Sequence, residues 1–151
     1  MNEQQKEIER NKVLIEKYPF LLPYNRWTGE VVKNYNYSYT ELDDMPQGWR
    51  IKFGEEICEE IKQALVKRNC LDKYRIIQIK EKFGFLHWYS NYFITEVEDI
   101  IRKYEAISVK TCIICGKDGK MRDFGWISPY CDECNEKILK RLIKTNKEGD
   151  K

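Results

Sequence analysis

Apolar residues recur every four positions from Trp49 through Phe53, Ile57 and Ile61 to Leu65. That spacing gathers them on one stripe and predicts the main core-facing helix of the chain. Cys58 and Ala64 flank the stripe, and Asn69 is its expected end. A different rhythm precedes it. Tyr35, Tyr37 and Tyr39 alternate with Asn34, Asn36 and Ser38, and a period of two predicts a strand with one aromatic face. Asp43, Asp44, Pro46 and Gly48 read as the turn between them. Residues 2–17 are rich in Glu, Gln, Lys and Arg, with Ile8, Leu14 and Ile15 as sparse apolar positions. They predict a helix that stops where Pro19 disfavours helical geometry at Tyr18. The apolar run Tyr18-Pro19-Phe20-Leu21-Leu22-Pro23 then follows as a loop packed on the core.

Beyond the central helix, residues 74–90 read as two strands with Gly84 between them. One glycine is short for a hairpin loop, so a bulge within a single bent strand fits equally. Thr95 with Glu98 has the spacing of a capping box, and Val97, Ile100, Ile101 and Tyr104 give the next helix its apolar face. A last helix over roughly 132–146 carries Ile138, Leu139, Leu142 and Ile143. The expected class is α+β: a small antiparallel sheet with packed helices, plus a C-terminal zinc ribbon and helix. The expected division is an α+β domain over 1–108 and a zinc ribbon with a basic helix over 109–151.

The ribbon is read from cysteines. Cys112 and Cys115 form one two-residue-spaced pair, Cys131 and Cys134 another, with fifteen residues between the pairs. Such a gap lets one tight turn present both sulfurs of a pair, and four thiolates in a tetrahedron suit zinc. Gly116 stands where such a knuckle favours a residue without a Cβ. Lys110, Lys117 and Lys120 are placed to offset the negative charge of four sulfurs. Four protein ligands leave no open coordination position, so the expected cofactor is one structural Zn2+. The alternatives are disulfides or unrelated cysteines.

Composition frames that reading. The chain has 151 residues, 42% of them hydrophobic and 13% aromatic, which is enough for a globular core and excludes a disordered chain. A net charge of +2 excludes a grossly basic nucleic-acid coat protein. No apolar stretch reaches the roughly 20 residues that cross a bilayer, so no membrane partner is expected. The opening MNEQQKEIERNK is charged and lacks an apolar segment, which argues against a secretory signal. A cytoplasmic location follows as the expectation, and reduced thiols there favour metal over disulfides.

Catalytic constellations fail in turn. Cys58-Glu59-Glu60 with Pro129-Tyr130-Cys131 approaches a zinc-deaminase pattern, but it comes one residue short and strands Cys112 and Cys115. His87 is the only histidine, so two-histidine metal sites are unavailable, and a strand histidine facing solvent is the simpler reading. Cys58 and Cys70 read as buried thiols. Cations do, however, stand beside large aromatics at Arg26-Trp27, Trp49-Arg50, Lys80, Lys82 and His87-Trp88-Tyr89. Nucleotides are held by stacking bases on aromatic rings while Arg and Lys hold phosphates. Arg26, Trp27, Arg50, Lys80, Lys82, His87, Trp88 and Tyr89 are therefore candidate ligand-binding residues. Trp49 belongs to the helix stripe, while Trp27 and Trp88 serve a core equally well. Lys137, Lys140, Arg141, Lys144 and Lys147 form a second, basic candidate for phosphate contact, or a solvated face that favours the helix C-terminus.

The string from Tyr18 to Pro23 through Asn25-Arg26-Trp27-Thr28-Gly29 carries a resemblance, as do Gly48-Trp49-Arg50, Gln78 to Gly84 and Gly125-Trp126-Ile127 with its cysteine pair. Over roughly residues 11–135 the chain resembles a family of small, functionally unassigned bacteriophage and prophage proteins of Gram-positive bacteria. The resemblance implies an accessory protein that counters host defence, by sequestering a nucleotide-type immune signal or by binding a host defence protein. A non-enzymatic binding protein of that kind is the leading expectation. A zinc-ribbon nucleic-acid-binding protein comes second and a nucleotide-processing enzyme third, since acid–base residues concentrate in no motif. Exposed apolar positions on the first and last helices also allow a homo-oligomer.

Overall fold

A computed structural model describes residues 1–149, with side chains described through Asn146. It contains four helices and two small antiparallel sheets, an α+β architecture. Helix α1 (Glu3–Lys17) opens with a full capping box, in which Asn2 and Gln5 each bond the other's backbone N–H. Its C-cap is Tyr18, and the 3-10 turn Pro19–Leu21 then buries Phe20 and Leu21.

The expected tyrosine strand does not form. Asn34 and Tyr37 take left-handed backbone conformations (φ 61° and 64°), which breaks any extended run. The interleaved polar residues explain why. Asn36 Oδ1 accepts from the Ser38 N–H at 3.1 Å, and Asn11 Nδ2 donates to the Tyr37 carbonyl at 2.8 Å. Short polar side chains thus give this backbone partners other than a neighbouring strand. The three tyrosines instead form a compact cluster, Tyr35 lying 5.0 Å from Tyr37 and 5.4 Å from Tyr39.

Residues 41–44 form a 3-10 turn, Glu41–Asp44, capped by Thr40. Gly48 is not part of that turn. It sits in helix α2, which spans residues 47–67 and comprises Gln47–Trp49, a π-helical turn Arg50–Gly54 and Glu55–Lys67. The π turn answers the sequence pattern. In a regular α-helix each four-residue step over-rotates by about 40°, so a strict four-residue stripe spirals away from the core. A local turn with i→i+5 bonding unwinds that drift. Trp49, Phe53, Ile57, Ile61 and Leu65 all end fully or almost fully buried. Asn69, in a left-handed conformation, ends α2 as the sequence indicates, with the Asn69 N–H bonding Val66 O and the Cys70 N–H bonding Leu65 O.

Strands β1 (Ile76–Lys82) and β2 (Phe85–Ser90) pair antiparallel, so the run around Gly84 is a hairpin. Its loop is Phe83–Gly84, both at positive φ (52° and 84°). The inner face packs Ile79, Leu86 and Trp88 against α2 and α3 (Thr95–Ser108). No capping box opens α3: its N-cap is Ile94, and Thr95 already lies inside the helix. Trp88 Nε1 donates to Tyr74 Oη at 3.0 Å, both groups being buried. Beyond α3 lie β3 (Lys120–Asp123), β4 (Ile127–Tyr130) and α4 (Asp132–Gly149). No helix among the described residues is long and apolar enough to cross a membrane.

Candidate metal centre and ligand face

The first knuckle, Cys112–Cys115, turns at Gly116 (φ 82°), whose N–H bonds Cys112 O at 3.1 Å while the Cys112 N–H bonds Lys117 O at 2.8 Å. The second lies at the start of α4, where the Cys134 N–H points at Cys131 Sγ (3.4 Å) and the Asn135 N–H bonds Cys131 O (2.9 Å). The antiparallel pair β3–β4 brings the two knuckles together, and Ile113 N–H ties them through Pro129 O at 3.0 Å. All four sulfurs lie within 4.8 Å of one another, with Cys115 and Cys131 at 3.6 Å. A tetrahedral four-sulfur site with bonds near 2.3 Å has edges of about 3.8 Å, so the four residues are positioned to hold one metal ion.

Around the sulfurs stand Ile113, Phe124, Tyr130 and Ile138. Burial opposes ionisation of Cys112, but backbone N–H groups at the knuckles outweigh it and bring that thiol down to about 7. Burial and hydrogen bonds with neighbouring thiols push Cys134 up. Of the three lysines expected to balance the cluster, Lys117 is raised above its ordinary value, first by its bond to Glu133 (3.5 Å) and then by the Cys115 and Cys131 charges. Cys58 lies in the main core, where burial raises its thiol, and Cys70 is half-buried.

The centre is anchored to α2 at a point the sequence did not signal. The Gly48 N–H bonds Ile113 O at 2.8 Å, and Trp49 Nε1 donates to Thr111 O at 2.9 Å. A Cβ on Gly48 would meet the Cys112 carbonyl, with Ile113 C at 2.6 Å and Gly116 N at 2.8 Å. At Gly84, by the other end of the ribbon, a Cβ would instead meet the flexible end of the Met121 side chain, with Sδ at 2.8 Å. Gly48 thus admits a backbone-to-knuckle contact that any side chain would block.

The ligand candidates separate. Strand alternation puts Gln78, Lys80 and Lys82 of β1 opposite Tyr89, His87 and Phe85 of β2, on the side facing away from the core. Lys80 Nζ lies 5.8 Å from the centre of the Tyr89 ring, and His87 stacks on that ring at 5.9 Å with Nδ1 3.1 Å from Tyr89 Oη. Trp88 points the other way and belongs to the core, as does Trp49. Arg50 pairs with Asp43 and faces a groove beside Leu14 and Glu55, away from this face. Arg26 lines a cleft along β1, while Trp27 sits at a loop tip with 94% of its surface exposed.

Lys137, Lys140, Arg141 and Lys144 share one exposed side of α4, but Lys137 and Lys140 are paired with Glu133 and Glu136 at 3.6 and 3.5 Å. The Lys147 side chain lies outside the described residues. Sequence reasoning read Asp44 only as part of a turn, passed over Glu41, and missed the cleft they line with Arg26, Tyr39 and Gln78. No protein-family model, curated protein or solved structure matches the chain.

Proposed function

We propose that the protein is a zinc-stabilised, non-enzymatic binding protein that takes a nucleotide-type ligand on the outer face of β1–β2. One observation carries this reading: Lys80, Lys82, His87 and Tyr89 share a solvent-facing sheet surface on which no same-face position of either strand is acidic. Such a surface offers rings for a base and cations for phosphates. The four-sulfur donor set favours zinc, and closed coordination makes its part structural. A protein that holds a nucleotide without converting it acts by withdrawing it from solution. That is the role implied by the resemblance to phage accessory proteins, with a host immune signal as the ligand.

The test is a thermal-shift screen against cyclic and ADP-ribose-type nucleotides, with the ligand recovered after denaturation. The expected result is a stabilising shift, an unaltered ligand, and loss of the shift in Lys80→Glu and Tyr89→Ala. Absence of a shift with every nucleotide refutes the reading, and recovery of an altered nucleotide establishes an enzyme instead. Metal analysis of purified protein is expected to find one equivalent of zinc, lost in Cys115→Ser. Less than half an equivalent in the unaltered protein overturns the metal assignment.

The shared side of Lys137, Lys140, Arg141 and Lys144 favours a second reading, nucleic-acid contact through α4. That reading requires binding that weakens steeply with salt and on charge reversal at Lys140 and Arg141. The ion pairs at Lys137 and Lys140 place it behind the first.

A further inference from the structure

Where Gln78 leaves the outer face it also lines a cleft of about 440 Å³, bounded by the Glu41–Asp44 turn, the Pro23–Arg26 segment and β1. That volume is within the range of small-ligand pockets. Its walls are of two kinds. Most of the exposed lining is polar, from Arg26, Tyr39, Glu41, Asp44 and Gln78, with a smaller apolar share from Tyr24 and Val32. Tyr24 is held in place by Arg75, whose guanidinium carbon lies 4.3 Å from the centre of its ring.

Asp43 on the same turn faces elsewhere and is engaged by Arg50 and by the Thr40 N–H (2.7 Å). Glu41 has no such partner. It is half-buried, with the like charge of Asp44 nearby and Arg26 acting more weakly, and no hydrogen bond reaches it among the described residues. A carboxylate so placed is costly until a donor meets it. Burial and Asp44 accordingly push the Glu41 carboxyl up to about 7.

We propose that this cleft holds the base of the bound nucleotide, and that the base is guanine-like, presenting two adjacent N–H donors to the Glu41 carboxylate. The inference rests on the nucleotide reading of the neighbouring face and adds base identity to it. Three features select this class. A carboxylate accepts two parallel N–H bonds in one plane. The lining rings of Tyr24 and Tyr39 offer flat surfaces to a planar base. Arg26 across the cleft and Lys80 beyond it disfavour a cationic ligand such as a guanidinium group. Lys80 follows Gln78 two residues along the strand on the same face, about 7 Å away, so a base in the cleft points its sugar and phosphate toward Lys80 and Lys82.

The experiment compares GMP, IMP and AMP on the intact protein, with Glu41→Gln and Lys80→Glu as variants and Asp44→Asn as a second probe of the cleft. IMP lacks the exocyclic amino donor of GMP, and losing one bond to a charged acceptor weakens binding by roughly ten- to hundred-fold. GMP is therefore expected to bind at least tenfold more tightly than IMP or AMP. Glu41→Gln should remove that preference. Equal binding of all three nucleotides, or a guanine preference that survives in Glu41→Gln, overturns the cleft assignment and leaves the nucleotide reading intact. No binding of any nucleotide, with no effect of Lys80→Glu, overturns both. Glu41→Gln is isosteric and relieves a buried charge, so its melting temperature should not fall. Were it to fall, the comparison is carried by Asp44→Asn, where an unchanged GMP-to-IMP ratio counts against the cleft.

Discussion

Gly48→Ala is the sharpest single perturbation of this molecule. The new methyl would enter space held by the Cys112 carbonyl, Ile113 C and Gly116 N, all of them backbone atoms that cannot swing aside. The first cysteine knuckle must therefore move away from α2. Two buried contacts go with it, Gly48 N–H to Ile113 O and Trp49 Nε1 to Thr111 O. Each is worth about 1 kcal/mol, and the overpacking itself costs about 1–3 kcal/mol. Against this, alanine is the better helix former by about 0.5–1 kcal/mol. The net loss is about 3 kcal/mol, which for a chain of this length lowers the melting temperature by roughly 6–12 °C.

Thermal and urea unfolding followed by circular dichroism measure it, and Gly54→Ala serves as the comparator. Gly54 lies in the same helix with right-handed backbone angles, and its Cβ would meet the Arg50 Cγ (3.2 Å) and Leu42 Cδ2 (3.5 Å) side-chain atoms. Its change should stay within about 1 kcal/mol. Chelator competition on the same proteins should find that Gly48→Ala holds metal more weakly, because the knuckle is displaced. A Gly48→Ala protein that melts within about 1 °C of the unaltered chain would falsify the docking described above.

Two further predictions concern burial. Glu41 has a folded pKa of about 7 against an ordinary 4.5, so the folded state retains its proton to higher pH than the unfolded state does. The stability this contributes is complete below 4.5 and is lost as pH rises through 7. Glu41→Gln should therefore melt close to the unaltered protein at pH 4.5 and above it at pH 8; a constant difference across that range refutes the assignment. Trp88→Phe should cost about 1–3 kcal/mol by leaving Tyr74 Oη without its donor and shrinking the core. Tyr89→Phe, on the outer face, should stay within about 0.5 kcal/mol, and unfolding curves of the two variants check the distinction.

The sequence made some of this plain and hid the rest for physical reasons. The cysteine spacing led directly to the clustered sulfurs, because knuckle geometry is local and a four-sulfur site needs only the two turns brought together. The stripe from Trp49 to Leu65 was legible because burial forces periodicity, though the π turn that keeps it on one side was not read. The Tyr35–Tyr37–Tyr39 alternation misled, since a period of two describes a strand only when the backbone has a partner strand to bond. Here Asn11 and Asn36 supplied other partners. Trp88 and Tyr89 are adjacent in sequence and opposite in role, which strand alternation explains once the hairpin register is known. Glu41 could not be singled out, because its cleft is built from segments far apart in the chain.

The docking of Gly48 against the knuckle also bears on the order in which the chain is made. Helix α2 leaves the ribosome long before Cys131 and Cys134, yet its N-terminal end finds its packing partner only in a loop organised around those residues. Domains fold as units during synthesis, and here the unit is not complete until the second knuckle has emerged. Cys112, Cys115, Cys131 and Cys134 would hold a metal ion there, and its binding would favour the closed ribbon in which Ile113 O and Thr111 O face α2. A chain truncated before Cys131 would keep Thr111 and Ile113 but lose the second cysteine pair that helps fix the loop carrying them. Such fragments should be recognised by proteases as unfinished, and intact folded protein should accumulate only as fast as metal is supplied.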